Sequence, residues 1–181
     1  MSKILIINGS PRAGGNTAFL VNALLKGVTF TKKEFNVCNS VIEPCLNCEA
    51  CLGTGKCFIC DDADKLFDAA KAADYVIIAS PVIFGSLPGY IIDLMSRFQC
   101  LFTGGDFKKL PAIGNKKQGC IIITAGGSGS VDGALKSAKI LAKMLNVENP
   151  VVITTLQTDK VPAREDSVAI NQINELRQGF N

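Results

Sequence analysis

The sequence predicts an α/β fold: a doubly wound five-stranded parallel sheet, strand order 2-1-3-4-5, with helices on both faces. Three observations lead there. Five short β-rich runs, four of them dense in isoleucine and valine, recur along the 181 residues and alternate with apolar residues at helical spacing, the alternation that βαβ units require. The runs are nearly continuous in apolar residues, as in strands covered on both sides. Glycine-rich and hydroxyl-rich segments follow the first, third and fourth runs, where an open sheet of this order places its ligand crevice.

Residues 3–8, Lys-Ile-Leu-Ile-Ile-Asn, read as the first strand, and 16–28 as a helix with Phe19, Leu20, Ala23 and Leu24 on one face. Residues 33–38 form a weaker second strand. Asp61 or Asp62 caps a helix carrying Leu66, Phe67 and Ala70, whose acidic start (with Asp64) is read as solvated. Residues 75–79 are the third strand, 89–98 a helix, and 120–124 the fourth strand. A helix over 132–145 carries Leu135, Ala138, Leu141 and Ala142; 151–155 is the fifth strand, and 164–177 closes the chain as a helix. Residues 103–119, with Gly104-Gly105, Pro111 and Lys116-Lys117, lack periodicity and read as a lid or an intersubunit element. No repeat or linker intervenes, so a single domain is expected over 1–181, with a cysteine-rich insertion at about 39–60.

Composition narrows the chemistry. Apolar residues make up 48% and charged residues 19%, the balance of a chain with a real core. There is no histidine, which excludes a Ser–His–Asp triad, a Cys–His pair and any imidazole-ligated metal. The net charge of +3 is scattered rather than gathered into a basic stripe, so no nucleic-acid partner is expected. The most apolar window, 75–95, is broken by prolines, glycines and Asp93, so no membrane span is expected and a cytoplasmic location is the default.

The loop Gly9-Ser-Pro-Arg-Ala-Gly-Gly-Asn-Thr17 lacks both the dinucleotide fingerprint and the Walker pattern. It remains a glycine- and hydroxyl-rich turn entering a helix N-terminus. There Ser10, Asn16, Thr17 and free backbone N–H groups, with Arg12, suit a terminal phosphate monoester. The plainer reading makes Asn16 an ordinary N-cap. The loop Ser80-Pro-Val-Ile-Phe-Gly-Ser-Leu-Pro-Gly89 is stiffened by two prolines, and its backbone can read the edge of a flat heterocycle against which Phe84 packs. The loop Thr124-Ala-Gly-Gly-Ser-Gly-Ser130 has the small residues that admit a planar ligand close to the main chain.

Together, Gly9-Ser-Pro-Arg-x-x-Gly-Asn-Thr17, Ser80-Pro-Val-x-Phe-Gly85 and Thr124-Ala-Gly-Gly127 resemble the FMN-binding loops of the NADPH-dependent FMN reductase family, which has the flavodoxin-like fold. The resemblance spans essentially the whole chain. It implies that Ser10, Arg12, Asn16 and Thr17 hold the FMN phosphate. Pro81, Val82, Ile83, Phe84 and Gly85 would line the isoalloxazine, with amides around 82–85 facing its N5 and N1 edges. Thr124, Ala125, Gly126 and Gly127 would flank the flavin from the other side. Ile83 departs from the family, where an aromatic residue is frequent.

Of the eight cysteines, Cys38, Cys100 and Cys120 are isolated and read as buried apolar fillers, whereas five crowd between Cys45 and Cys60. Cys45-x2-Cys48-x2-Cys51-x5-Cys57 is a compact all-thiolate set, which suits an Fe–S cluster, a zinc ion, or unoccupied or oxidised thiols. The spacing resembles the iron–sulfur flavoprotein branch of the family, which implies a [4Fe–4S] cluster on Cys45, Cys48, Cys51 and Cys57 and gives Cys60 no role.

The expected function is an FMN-dependent NAD(P)H oxidoreductase, iron–sulfur flavoprotein-like, with its chemistry at flavin N5 and no catalytic side chain. A ferredoxin-like redox partner and a homodimer or homotetramer go with the resemblance. Two alternatives belong to other classes. One is a non-enzymatic flavodoxin-like electron carrier, against which the positive net charge argues; the other is a metal- or thiol-sensing module without flavin.

Overall fold

Along β1 (Lys3–Asn8) every residue after Lys3 is buried, because neighbours cover both faces of the strand. The computed structural model describes residues 2–103 and 113–180. Its order is β1, α1 (Asn16–Leu25), β2 (Thr31–Asn36), α2 (Asp62–Ala72), β3 (Tyr75–Pro81), α3 (Gly89–Arg97), α4 (Gln99–Thr103), β4 (Gln118–Thr124), α5 (Asp132–Met144), β5 (Val151–Thr155) and α6 (Ser167–Gln178). The strands form one sheet in the order β2-β1-β3-β4-β5, all pairs parallel. The flavodoxin-like architecture is thus as expected.

Successive strand residues point to opposite faces, and two cores result. Leu5, Ile7, Val76, Ile78, Ile121 and Ile123 meet the inner faces of α2, α3 and α5. Ile4, Ile6, Ile77, Ile122 and Ile153 meet α1 and α6. Gly119 lets β4 run tightly beside β3: a Cβ there would lie 2.5 Å from the Val76 carbonyl oxygen and 2.7 Å from Val147. Neither neighbour can yield cheaply, so Gly119→Ala is expected to cost about 2–3 kcal/mol of stability, read as a lowered urea midpoint.

Several boundaries differ from expectation. The second strand is Thr31–Asn36, and residues 37–39 leave it as a 3-10 turn. Phe19 is 38% exposed, whereas Thr17, Ala18 and Val21 join Leu20 and Leu24 inside. The closing helix begins at Ser167 because Asp166 caps it, its Oδ1 accepting from Val168 N and Ala169 N. Its Oδ2 accepts from Thr155 Oγ1 at 2.6 Å; this bond, with the backbone bonds, holds the Asp166 carboxyl below the ordinary aspartate range. Residues 104–112, most of the expected lid or intersubunit stretch, lie outside the described residues. Among the described residues no helix is long and apolar enough to cross a membrane.

Candidate functional site

The loops after β1, β3 and β4 all emerge at the carboxyl edge of the sheet and border one open cleft of about 270 Å³. Of the expected residues, Ser10, Arg12, Asn16, Thr17, Pro81, Val82, Ile83, Thr124 and Gly126 line it, together with Pro11, Gly15, Thr158 and Asp159.

The start of the β1–α1 loop is tied down by hydrogen bonds at Gly9 and Ser10. Asn8, at the end of β1, accepts Ser10 N on its Oδ1 at 2.9 Å, and Asn36 donates to Ser10 O at 3.0 Å. Tyr90 Oη donates to Gly9 O at 2.6 Å, which ties the loop to α3. The N-cap of α1 is Gly15, and no side chain caps the helix; Asn16 is the first helical residue, so the ordinary N-cap reading is incorrect. With no capping side chain, the first-turn N–H groups and the positive end of the helix dipole meet the cleft.

Asn16 Oδ1 accepts from Ala163 N at 3.0 Å, which orients its Nδ2 donor. Thr17 and Thr124 share a hydrogen bond between their hydroxyls at 2.7 Å, both residues buried. Whichever donates, the other keeps its hydrogen for a ligand.

The β3 loop is a tight hairpin. Ile83 and Ser86 exchange backbone hydrogen bonds around Phe84 (φ 49°) and Gly85 (φ 77°), both left-handed as a type I′ turn demands. Two expectations change here. The Val82 and Ile83 amides already donate to Thr124 O and Ser86 O, so neither faces a ligand edge; in such a turn the Phe84 and Gly85 N–H groups point outward. Phe84 is fully exposed at the tip, and neither it nor Gly85 borders the cleft. The Gly85 carbonyl accepts Ala134 N at 3.0 Å, which fixes the turn to the start of α5.

Ala125 and Gly127 also fall outside the lining. Their carbonyls accept from Thr158 N and Gln157 N, so the loop after β5 folds over them. That loop brings Thr158 and Asp159 to the cleft, and the Asp159 carboxylate lies against Gly126. Sequence reading passed over these two residues; the signal available was their place just after the fifth strand, on the same edge as the other loops.

A second site lies on the insertion. Cys45, Cys48, Cys51 and Cys57, the whole expected set, border a single cavity of about 170 Å³ with Arg97 and Cys100. The loop wraps through left-handed turns at Asn47 and Glu49. Cys45 N donates to Ser96 Oγ at 2.8 Å, and Asn47 N to Cys45 Sγ at 3.4 Å. Among the described residues, no three cysteine or acidic side chains converge as one metal ion would require. Four thiols without an imidazole around one cavity are a donor set that suits an iron–sulfur unit or an all-thiolate zinc ion.

Two cysteine expectations are revised. Cys38 is no apolar filler: it is half-buried and its Sγ donates to Asn36 Oδ1 at 2.9 Å. Cys100 is buried as expected but sits beside Cys51 and Cys57, where burial and the neighbouring thiols push its thiol pKa up. Cys60 is exposed and faces a separate cleft. Asp61 caps α2 as expected but is not solvated; its side chain is 5% exposed and paired with Arg97.

The fold occurs in solved proteins of similar build. An azoreductase from Bacillus anthracis superposes with a TM-score of 0.73 at 16% identity, over 100% of this chain and 99% of that one. An iron–sulfur flavoprotein of Methanocaldococcus jannaschii is 32% identical over 137 residues, covering 74% of this chain and 68% of its own. One from Methanosarcina thermophila is 28% identical over 180 residues, 96% of this chain and 90% of its own. The model of the NADPH-dependent FMN reductase family matches residues 2–159. With that match over most of its length and iron–sulfur flavoproteins among its relatives, the chain belongs to the NADPH-dependent FMN reductase family.

Proposed function

We propose that this FMN-dependent, NAD(P)H-oxidising reductase seats its flavin in the carboxyl-edge cleft and a [4Fe–4S] cluster among Cys45, Cys48, Cys51 and Cys57. One observation carries the reading: a single cleft joins an uncapped helix N-terminus to Thr17, Thr124 and the 81–83 segment. The first-turn amides, Asn16 Nδ2, the Thr17–Thr124 pair and Arg12 supply the donors a phosphate dianion needs. Pro81, Val82 and Ile83 form an apolar wall for the ring. Gly126, with Asp159 above it, closes the far side.

Bound there, a flavin would supply two-electron exchange with NAD(P)H at its N5 and one-electron transfer onward. The chain's own part is to hold the phosphate, position the ring and keep water from one face. Arg12 and Asp159 are the charged side chains among the described residues lining the cleft. Exposed Leu46, Leu52 and Phe58 beside the cysteines, and Ile83 and Phe84 beside the flavin cleft, supply apolar surface for a homodimer or homotetramer and for a ferredoxin-like acceptor.

The test is an anaerobic visible spectrum of protein reconstituted with FMN, iron and sulfide, recorded before and after NADPH. Flavin absorbance should bleach on NADPH addition, and iron and sulfide should each approach four per chain. Protein that stays colourless after FMN reconstitution would overturn the flavin site. Loss of iron in native protein, or full iron in a variant with all four cysteines replaced by alanine, would overturn the cluster site.

A further inference from the structure

Arg97 is the largest of the fully buried side chains, 1% exposed at the end of α3. Its NH1 donates to Glu43 O at 3.0 Å and to Asp61 Oδ2 at 2.5 Å, and its NH2 to Ile59 O at 2.8 Å. Glu43 precedes Cys45 and Ile59 follows Cys57, so one guanidinium fastens both ends of the cysteine segment. Its Nε is buried with no partner at hydrogen-bond geometry, and the Cys57 thiol is a side chain close enough to act on the guanidinium. Leaving a buried donor in that condition is costly, and the side chain borders the cavity that the four thiols share.

We propose that Arg97 donates its Nε–H to a sulfur of the cluster, a sulfide or the Cys57 thiolate, and so raises the cluster's reduction potential. This rests on the cluster reading above. The geometry distinguishes the Nε–H from the rest of the fork: NH1 and NH2 are committed to the loop carbonyls and to Asp61, whereas the Nε–H still needs an acceptor. Sulfur atoms of a bound cluster are the acceptors that the cavity would bring to it. The guanidinium is a permanently charged group and is paired with Asp61, so it keeps its proton.

Hydrogen bonds to cluster sulfurs, and nearby positive charge, favour the reduced and more negative cluster. Reduction takes up one electron, supplied by NAD(P)H through the flavin; no bond at Arg97 forms or breaks, and its proton stays in place. Arg97 is thus a positioning residue: it shapes the loop through two carbonyls and tunes the cluster through the third nitrogen.

The test uses holoprotein carrying 15N-arginine, compared with Arg97→Lys and Arg97→Met. Pulsed EPR on the reduced cluster should show a 15N coupling that both variants lose. Dye-mediated titration should place the cluster potential lowest in Arg97→Met and intermediate in Arg97→Lys, which keeps the cation but not the fork. Arg97→Lys keeps a positive charge opposite Asp61, so it carries the comparison if Arg97→Met fails to fold. Equal potentials at equal iron content, or no 15N coupling in the native protein, would overturn the role of Arg97 and leave the cluster standing. Native protein that binds no iron and sulfide would overturn both.

Discussion

Replacing Asn16 by aspartate is expected to weaken FMN binding by about 10²–10³-fold while leaving thermal stability unchanged or slightly higher. The two side chains have the same shape, and an aspartate oxygen still accepts from Ala163 N where Asn16 Oδ1 does now. Position 16 opens α1, and a carboxylate there is worth about 0.3–1 kcal/mol to the helix. The same carboxylate faces the cleft that would hold the phosphate. Two like charges ~4 Å apart at an effective dielectric near 20 repel by about 4 kcal/mol, and each ~1.4 kcal/mol is a factor of ten. Titration of the apoprotein with FMN, followed by flavin fluorescence, and a thermal melt of the same sample separate the two effects. Unchanged FMN affinity would place the phosphate elsewhere.

Replacing Asp61 by alanine is expected to remove about 3–5 kcal/mol of stability, which at this size lowers the melting temperature by about 10 °C. Asp61 closes three connections at once. It accepts from Ala63 N as the cap of α2, accepts from Glu43 N at 2.9 Å, and neutralises buried Arg97. An exposed ion pair would be worth little; this one is expensive to break because the guanidinium has no water to turn to. Lys65–Asp62 is a convenient control: it is exposed, and Lys65→Ala should change the melting temperature by no more than about 1–2 °C. Equal effects from the two variants would mean the Arg97 pocket is wet.

The periodic elements were legible because their pattern is local. Isoleucine-rich runs of strand length, and Leu66, Phe67 and Ala70 at helical spacing, declare themselves without any partner in view. Phe19 misled because apolar character alone does not say which side of α1 faces the sheet. That the loop after β1 borders the cleft was legible through its glycines and hydroxyls, and that the four cysteines share one cavity through their spacing. The Val82 and Ile83 amides are taken by Thr124 O on the neighbouring strand and by Ser86 O within the turn, and short-range composition does not reveal which N–H groups are so used.

What the sequence by itself determined is the strand–helix order, the family of loops at one edge, the all-thiolate set and the absence of imidazole chemistry. Each depends on residues close in the chain or on simple composition. What only the tertiary structure decided is which distant groups meet: Thr17 with Thr124, Asp159 over Gly126, Cys100 beside Cys57, and Arg97 closing on Asp61. The physical reason is that a parallel sheet brings the ends of non-consecutive strands together. Contacts across 33 to 107 residues are fixed by strand order and packing, and no local pattern encodes them.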